Sequence, residues 1–458
     1  MLPALLTGVV VLTLLAVNRP FQEGGGNREG SNLIVYTEVP AEADPNQLFP
    51  ENSRIVAVDP ANPAANPQIL TPGFAAARAP EISFDGKRLL FAGRTSDSSA
   101  WQIWERPLDG GTTRRFAQSL EGCADPTYLP GGLIAFSAMA PILEDRPEEG
   151  RTLALFTSGL DGCCLERISF HPDADYASVA LRDNRILFAS NRSGPSNGPS
   201  ASQLLAMRYD GTGVELYYES QEGAWLPSRA RETEDRRLIF VEKSDRDAQA
   251  GRLVSVRDDR PLHSYRDLAP SLEGFHSVYP AGKNRWIVSY RDTEQEPFAL
   301  YMFDPETGEL GARLTHDEKV HAVEPVEAAP RFEPESFVSI VDSSHPAELY
   351  AMDADRSTLV TQAPGPTVTI RIRGVTGVLA DVPVHSDGSF RLEVPHDTPL
   401  RFETLNDAGE VVRGPSQWLW VRPNERRGCI GCHENRELVP DNLVKQAFDE
   451  PAVSLLPD

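Results

Sequence analysis

The chain has 458 residues, with 44 Lys and Arg against 67 Asp and Glu, so its formal net charge is −23. A body of this charge repels a polyanion, which excludes nucleic acid as a partner. At about 100–200 residues per domain, the length predicts two to four domains. The 38 Pro and 34 Gly favour many short strands joined by turns over long helices.

The N-terminal segment is the one stretch of membrane-spanning character. Residues 1–17 are apolar and are followed by Asn18-Arg19-Pro20. We interpret residues 1–22 as a signal peptide or, alternatively, as an uncleaved N-terminal anchor that attaches the protein to a membrane through residues 1–17. Both interpretations place the rest of the chain outside the cytoplasm, in the periplasm.

Two strand patterns recur between residues 31 and 355. The first is a short apolar strand, from residues 33–36 in the first copy to residues 337–340 in the last. The second is a strand that ends in an acidic turn, from Asp59 in the first copy to Asp353 in the last. We count seven copies of each, with a mean period of 49 residues. This repetition predicts an all-β fold whose main domain, residues 31–355, is a seven-bladed β-propeller.

The turn that precedes the second apolar strand has a recognisable composition. Residues 80–86 read Pro-Glu-Ile-Ser-Phe-Asp-Gly. The repeat resembles that of the TolB-type propeller family, which places a Pro-x-x-Ser-x-Asp-Gly-like turn before an apolar strand and an acidic turn after the next strand. The resemblance implies the same propeller architecture.

Beyond residue 355 the pattern changes to alternating apolar and polar residues, as in residues 367–372 and 390–394. Alternation with a period of two indicates strands with one buried and one solvated face. We therefore predict a small β-sandwich module over residues 364–420. A short haem-binding segment, residues 421–458, is predicted to follow it.

That last prediction depends on the sequence Cys429-Ile430-Gly431-Cys432-His433, which has the spacing of a c-type haem attachment site. Two intervening residues let both sulfurs reach the vinyl groups of one haem, and the next residue supplies the proximal nitrogen to the iron. A zinc site would need further ligands nearby, and a redox dithiol is typical of a βαβ context. We therefore predict one covalent haem c, with His433 as the proximal iron ligand.

Residues beside the motif are candidates for contacts with the haem. Arginines would neutralise its propionates, with surface solvation as the alternative, and tryptophans would line it, with core packing as the alternative. These candidates are Arg422, Arg426, Arg427, Trp418 and Trp420. The 25 residues after His433 contain no Met or His, so we expect no self-contained cytochrome c fold and no sixth ligand from that stretch. Histidines considered for this ligand, with an ordinary hydrogen-bonding role as the alternative, are His263, His276, His316, His321, His345, His385 and His396.

The stretch from Val382 through residues 387–390 and Trp418 into residues 428–434 resembles the middle region of the hydrazine synthase alpha subunit family. In that family a propeller leads through a small β-module into a Cys-x-x-Cys-His haem site. The resemblance implies that Cys429 and Cys432 bind haem covalently and that His433 is an axial ligand. The family's alpha subunit carries a further haem module, whereas this sequence ends at Asp458, so the resemblance implies a relative and leaves hydrazine chemistry open.

Three functions remain open from the sequence, and none has assignable catalytic residues. The first is an exported monohaem c-type cytochrome on a propeller scaffold, which transfers electrons with a redox protein whose contact patch is basic. The second is a haem enzyme with an open iron site that acts on a small nitrogen or oxygen species. The third is a propeller that binds a protein or glycan, with an accessory haem. The other cysteines, Cys123, Cys163 and Cys164, are either free thiols or include one disulfide from Cys123.

Overall fold

A computed structural model of the chain describes residues 33–116, 119–192, 201–219, 223–226, 228–357, 359–433 and 443–456, without the side chains of residues 432 and 433. The predicted signal or anchor segment, residues 1–22, lies outside these ranges. No helix within them is long and apolar enough to cross a membrane. Their helical elements are three 3₁₀ turns, Pro147–Glu149, Pro261–His263 and Gln446–Phe448.

Six four-stranded antiparallel sheets in the described residues form the blades of a propeller. The first three blades contain consecutive strands joined by short turns. Blade 1 has β1 (Ile34–Pro40), β2 (Arg54–Val58) and β3 (Gln68–Ile69); blade 2 has β4 (Ala76–Ile82), β5 (Arg88–Arg94), β6 (Gln102–Pro107) and β7 (Arg114–Phe116); blade 3 has β8 (Ala124–Leu129), β9 (Leu133–Pro141), β10 (Arg151–Gly159) and β11 (Glu166–Arg167).

The next three blades repeat this plan. Blade 4 has β12 (Asp175–Ala180), β13 (Arg185–Arg192), β14 (Ala201–Arg208) and β15 (Glu215–Glu219); blade 5 has β16 (Arg231–Glu232), β17 (Arg237–Glu242), β18 (Arg252–Arg257) and β19 (Arg266–Asp267); blade 6 has β20 (Phe275–Pro280), β21 (Trp286–Tyr290), β22 (Ala299–Asp304) and β23 (Glu309–Arg313). A further strand, β24 (Val320–Glu327), then completes blade 1 by pairing with β1.

The blade strands are apolar without alternation because each blade is covered on both faces. Residues 89–93 of β5 and residues 238–242 of β17 are buried without interruption. One apolar cluster joins blades 4 and 5, a second joins blades 5 and 6, and a third joins blade 6 to blade 1. These contacts arrange the blades as a closed ring, in which burial of both faces drives stacking.

The propeller prediction is confirmed, but the number of blades is six and the predicted seventh blade is wrong. The last copy of the first pattern, residues 337–340, forms no strand, and the last copy of the second pattern lies in a different domain. The first copy has no inner strand of its own, because β24 supplies it from the other end of the repeat array. The first six copies therefore form the six blades, and the seventh copy contributes only one strand, which belongs to the module.

The predicted period nevertheless matches the structure. A residue with positive φ marks a bulge in the first strand of four blades: Ala79, Asp125, Ala177 and Glu324. The 245 residues from Ala79 to Glu324 span five repeats, with a mean of 49 residues each. The period is therefore a property of the blades, whereas the count depends on how the ring closes.

The C-terminal module is a β-sandwich of two four-stranded sheets around one apolar core. It begins at Ala347, earlier than the predicted boundary at residue 364, and two of its strands, Arg426–His433 and Val453–Ser454, lie in the predicted haem segment. One sheet has the order β31-β25-β28-β32 and the other has the order β27-β26-β29-β30. Their bounds are β25 Ala347–Ser357, β26 Thr369–Gly374, β27 Gly377–Pro383, β28 Phe390–Val394, β29 Arg401–Leu405, β30 Val411–Arg413, β31 Arg426–His433 and β32 Val453–Ser454.

A linker between β24 and β25 crosses three blades before the module begins. Arg331 contacts Glu81 of blade 2, and Phe337 stacks on Tyr209 of blade 4 with ring centroids 5.5 Å apart. The module itself is anchored by Trp420, which is fully buried in the apolar cluster of blades 3 and 4. The propeller edge at blades 3 and 4 is therefore the docking surface for the module.

Replacing Trp420 with Ala is expected to destabilise the protein by about 3–5 kcal/mol, because it leaves a large cavity between the module and the propeller. Urea unfolding measures this loss. Phe332→Ala is the control, since Phe332 is more than half exposed and its removal should change the unfolding free energy by less than about 0.5 kcal/mol. Equal effects of the two substitutions would contradict the anchoring role of Trp420.

Candidate functional site

The Cys-x-x-Cys-His motif lies on β31, an edge strand of the sandwich that runs parallel to β25. The register pairs Cys429 with Ala351 and His433 with Ser357, so the backbone of the motif is extended. Side chains at alternate positions of a strand share one face. Arg427, Cys429 and Gly431 accordingly line the same cleft.

Two glycines around the motif are required by close backbone approaches. A Cβ atom on Gly428 would stand 2.3 Å from the ring and hydroxyl of Tyr350, and one on Gly431 would stand 2.0 Å from the carbonyl oxygen of Arg356. Both distances are far below van der Waals contact, so any larger residue displaces β25. The two glycines let β31 lie flat against its neighbour and bring Cys429 to the cleft.

The cleft has a volume of about 220 Å³ and lies between blade 4 and the module. Blade 4 contributes one wall, which includes Leu205 and Val214. The module contributes the other wall, which includes Phe390, Phe402 and Trp418. The lining is thus mostly apolar and aromatic, with Cys429 on the module side. Such a surface is suited to a flat apolar ligand.

Arg427 is the predicted propionate-binding arginine that borders this cleft. Its guanidinium donates to the carbonyl oxygen of Trp420 at 3.4 Å and to that of Val214. The side chain of Arg426 is 72% exposed, with its closest carboxylate on Glu348 at 3.9 Å. Arg427 therefore places a positive charge at the cleft, whereas its neighbour Arg426 does not line the cleft.

Arg422 has a structural environment instead. Its buried guanidinium donates to Asp397 at 3.1 Å, to the carbonyl oxygen of Arg167 at 2.9 Å and to Glu166. Glu166 and Arg167 belong to blade 3, whereas Asp397 belongs to the module. Burial raises the pKa of Asp397, an effect that Arg422 opposes. Arg422 therefore joins the module to the propeller, and its predicted propionate contact stays a prediction.

Glu425 is a second interface residue, which sequence reasoning missed. Its carboxylate accepts hydrogen bonds from the backbone N–H of Gly213 in blade 4 at 2.9 Å and from that of Arg422 at 2.8 Å. Burial raises its pKa. Only the fold brings the turn after β14 next to residue 425, so no local signal in the sequence identifies this contact.

The two tryptophans have different positions. Trp418 lines the cleft and is covered by the guanidinium of Arg401, whose carbon lies 4.5 Å from a ring centroid. Trp420 belongs to the buried docking cluster and is absent from the cleft lining. Haem lining stays a prediction for Trp418, which borders the cleft, whereas Trp420 has the core-packing role that was the alternative.

The described walls of the cleft contain no histidine. His276 is fully buried in blade 6, where burial lowers its pKa to about 3. His321 contacts the backbone of Ala41 and Phe298, and His396 lies 3.3 Å from Asp397. His345 similarly lies 3.0 Å from Asp342. His263, His316 and His385 also do not line the cleft, so none of the seven histidines stands at its described walls.

The remaining cysteines form no disulfide in the structure. Cys123 is fully buried between blades 2 and 3, and burial raises its pKa to about 12. Cys163 and Cys164 are exposed on the β10–β11 turn. The described side chains also include no cluster of three or more His, Cys, Asp and Glu with metal-binding geometry.

The architecture defines a class of protein: a six-bladed propeller with a docked β-sandwich that carries a Cys-x-x-Cys-His motif. Residues 336–434 match the family described as "Hydrazine synthase alpha subunit middle domain". The module and the end of the linker before it are therefore similar to this middle domain.

Relatives extend the similarity beyond that domain. Hydrazine synthase subunit alpha of Kuenenia stuttgartiensis is 21% identical over 87% of this chain, which spans 65% of that protein's length. The solved hydrazine synthase of Kuenenia stuttgartiensis superimposes with a TM-score of 0.80 at 20% identity, over 92% of this chain and 72% of the other. TolB from Acinetobacter baumannii gives a TM-score of 0.48 at 14% identity, over 66% of this chain and 68% of the other. The shared fold thus includes propeller and module.

Replacing Arg422 with Met is expected to destabilise the protein by about 2–3 kcal/mol, because it removes the buried guanidinium that bonds Asp397 of the module and the Arg167 carbonyl of blade 3. The matched control is Arg426→Met, whose exposed side chain should contribute less than about 0.5 kcal/mol. Urea unfolding of both variants distinguishes the two roles. An unchanged midpoint for Arg422→Met would show that the contact is not a docking interaction.

Proposed function

We propose that the protein is an exported monohaem c-type cytochrome that transfers electrons with a redox partner. The observation that supports this proposal is the position of Cys429, which opens the Cys-x-x-Cys-His motif and lines an apolar cleft beside Arg427. A cleft of aromatic walls with one guanidinium suits a porphyrin, which is flat and apolar and carries acidic propionates.

The residues of the motif would hold the haem as follows. Cys429 and Cys432 would hold the haem covalently through thioethers, and His433 would be the proximal ligand of its iron. Arg427 at the cleft wall would pair with a propionate. The bound haem would supply one-electron transfer.

The partner follows from charge. The body carries a formal charge of −23, and complementary charge steers the encounter of redox proteins. The proposed partner is therefore a protein with a basic contact patch. Export of the chain through residues 1–22 fits this function, because thioether formation of c-type haem takes place outside the cytoplasm.

A second function is favoured by the similarity to a protein named hydrazine synthase subunit alpha. In that case the iron keeps an open coordination position and the protein acts on a small nitrogen or oxygen species. The cleft walls described above offer no histidine as a sixth ligand, which agrees with such a position. This chain spans 65% of the length of that relative, so an enzymatic activity of this chain is a proposal.

Expression into the periplasm with the haem attachment machinery is expected to give one covalent haem per chain, measured by intact mass and a pyridine haemochrome spectrum. Cys429→Ser should retain one thioether and shift the haemochrome α band to longer wavelength, because one vinyl group stays conjugated. The double variant Cys429→Ser/Cys432→Ser should carry no covalent haem.

Cys163→Ser is the matched control, because Cys163 lies on an exposed turn of blade 3. It should retain the wild-type mass and spectrum. A wild-type protein that folds but carries no covalent haem would refute the proposed function.

Carbon monoxide separates the two functions. Added to the reduced haem protein, it should leave the Soret band unchanged if a strong sixth ligand serves electron transfer alone. A shift of that band would instead support an open iron site and the enzyme interpretation.

A further inference from the structure

The six blades meet at the propeller axis around a small cavity. Its lining residues come from blades 1, 2, 5 and 6: Ala79, Ser228, Arg229, Arg231, Ser277, Val278, Glu324 and Pro325. Blades 2 and 5 are opposite each other in a six-membered ring, so they meet only at the axis. The volume is about 10 Å³, which is room for about one water-sized species.

Arginines and carboxylates surround this cavity. Three guanidiniums converge on the buried carboxylate of Glu81, with Arg331 at 2.6 Å, Arg231 at 2.8 Å and Arg229 at 3.3 Å. Nearby, Arg78 pairs with Glu324. Asp125 interacts electrostatically with both Arg78 and Arg229, and Asp44 interacts with Arg78. Arg229 therefore shares the Glu81 carboxylate with two other guanidiniums.

Arg229 has an incomplete set of hydrogen bonds. It is 8% exposed, and Nη1 makes long contacts, 3.4 Å to the carbonyl oxygen of Pro80 and 3.3 Å to Glu81. Its Nε and Nη2 atoms have no partner among the described residues. A buried guanidinium with two unmatched donors requires an acceptor, and the described residues supply none. Burial also lowers the pKa of Arg229. The cause is the loss of water around its guanidinium, which the surrounding carboxylates do not fully offset.

The carboxylate that lines the cavity is already saturated. One oxygen of Glu324 accepts from Arg78, and the other accepts from the Thr37 hydroxyl at 2.8 Å and the Ala79 N–H at 2.9 Å. Ser277 accepts a hydrogen bond from the Glu324 N–H at 2.9 Å, so its own O–H is a donor for a ligand. The cavity therefore offers donors to an anion, and its acidic group is occupied.

We propose that the propeller axis holds one small monovalent anion of the halide class, bound by Arg229 and the Ser277 hydroxyl. The anion supplies the acceptor that the Nε and Nη2 donors of Arg229 lack among the described residues. It thereby joins blade 5 to the blades opposite and beside it. This site is separate from the haem cleft and does not depend on the proposed electron transfer.

Bromide is the probe, because it is a halide that anomalous X-ray diffraction identifies. Crystals grown with bromide should show one anomalous peak at the axis, next to Arg229. In solution, raising potassium bromide from about 5 mM to about 500 mM, with potassium gluconate holding ionic strength constant, should raise Tm by roughly 5 °C. Gluconate is too large for the cavity and serves as the inert anion.

Arg229→Met removes this guanidinium while Arg231 and Arg331 still pair with Glu81, so the variant is expected to fold and to lose the bromide dependence. The matched control is Arg236→Met in the same blade, whose side chain is largely exposed and which should retain it. Bromide dependence that survives in Arg229→Met overturns the proposal. A crystal of the wild-type protein with no axial peak, whose bromide is an adventitious ion only at the surface, also overturns the proposal. This measurement needs no variant.

Discussion

The pairing of β1 with β24 is the interaction on which the rest of the structure depends. These strands pair from Ile34 with Glu327 to Pro40 with Val320, with one bulge at Glu324, and their pairing completes blade 1 from both ends of the repeat array. With the ring closed, blades 2 and 5 are opposite each other across the axis. The same closure leaves the chain at the end of the innermost strand of blade 1 after Glu327, from where the linker crosses blades 2 to 4 and brings the module to blade 4.

The propeller architecture was predictable from the sequence, because each strand has its own local pattern of apolar residues. The number of blades was not predictable in this way. Because each blade is buried on both faces, its strands are continuously apolar, and this pattern recurs in the sequence with a period of 49 residues. Residues 349–353 match that pattern in composition, yet β25 alternates buried and partly exposed residues along its length. Such alternation marks a sandwich strand, but it is visible only in the burial of β25, because residues 349–352 are all apolar in the sequence. The contribution of β24 to blade 1 was not visible in the sequence either, because it follows from ring closure.

At the candidate site, sequence reasoning identified the motif but not the surroundings that give it chemical meaning. Cys429 and Arg427 lie close together in sequence and share a strand face, so period-two geometry relates them. One wall of the cleft comes from blade 4, more than 200 residues earlier in the chain. For the same reason three arginines of one short segment have three environments: Arg422 at the domain interface, Arg426 in solvent and Arg427 at the cleft. The role of an arginine near the motif therefore depends on which residues the fold places beside its side chain.

The cleft belongs to neither domain alone, and this has a thermodynamic consequence. Its walls include Leu205 and Val214 of the propeller and Phe390 and Trp418 of the module, so a ligand held there contacts both. Any species that binds only when the module is docked stabilises the docked state by its own binding free energy. The interface also contains Arg422 and Glu425, each of which has polar contacts in both domains. Domain docking and occupation of the cleft are therefore coupled equilibria, and a residue far from the motif acts on the site by changing how firmly the module is held.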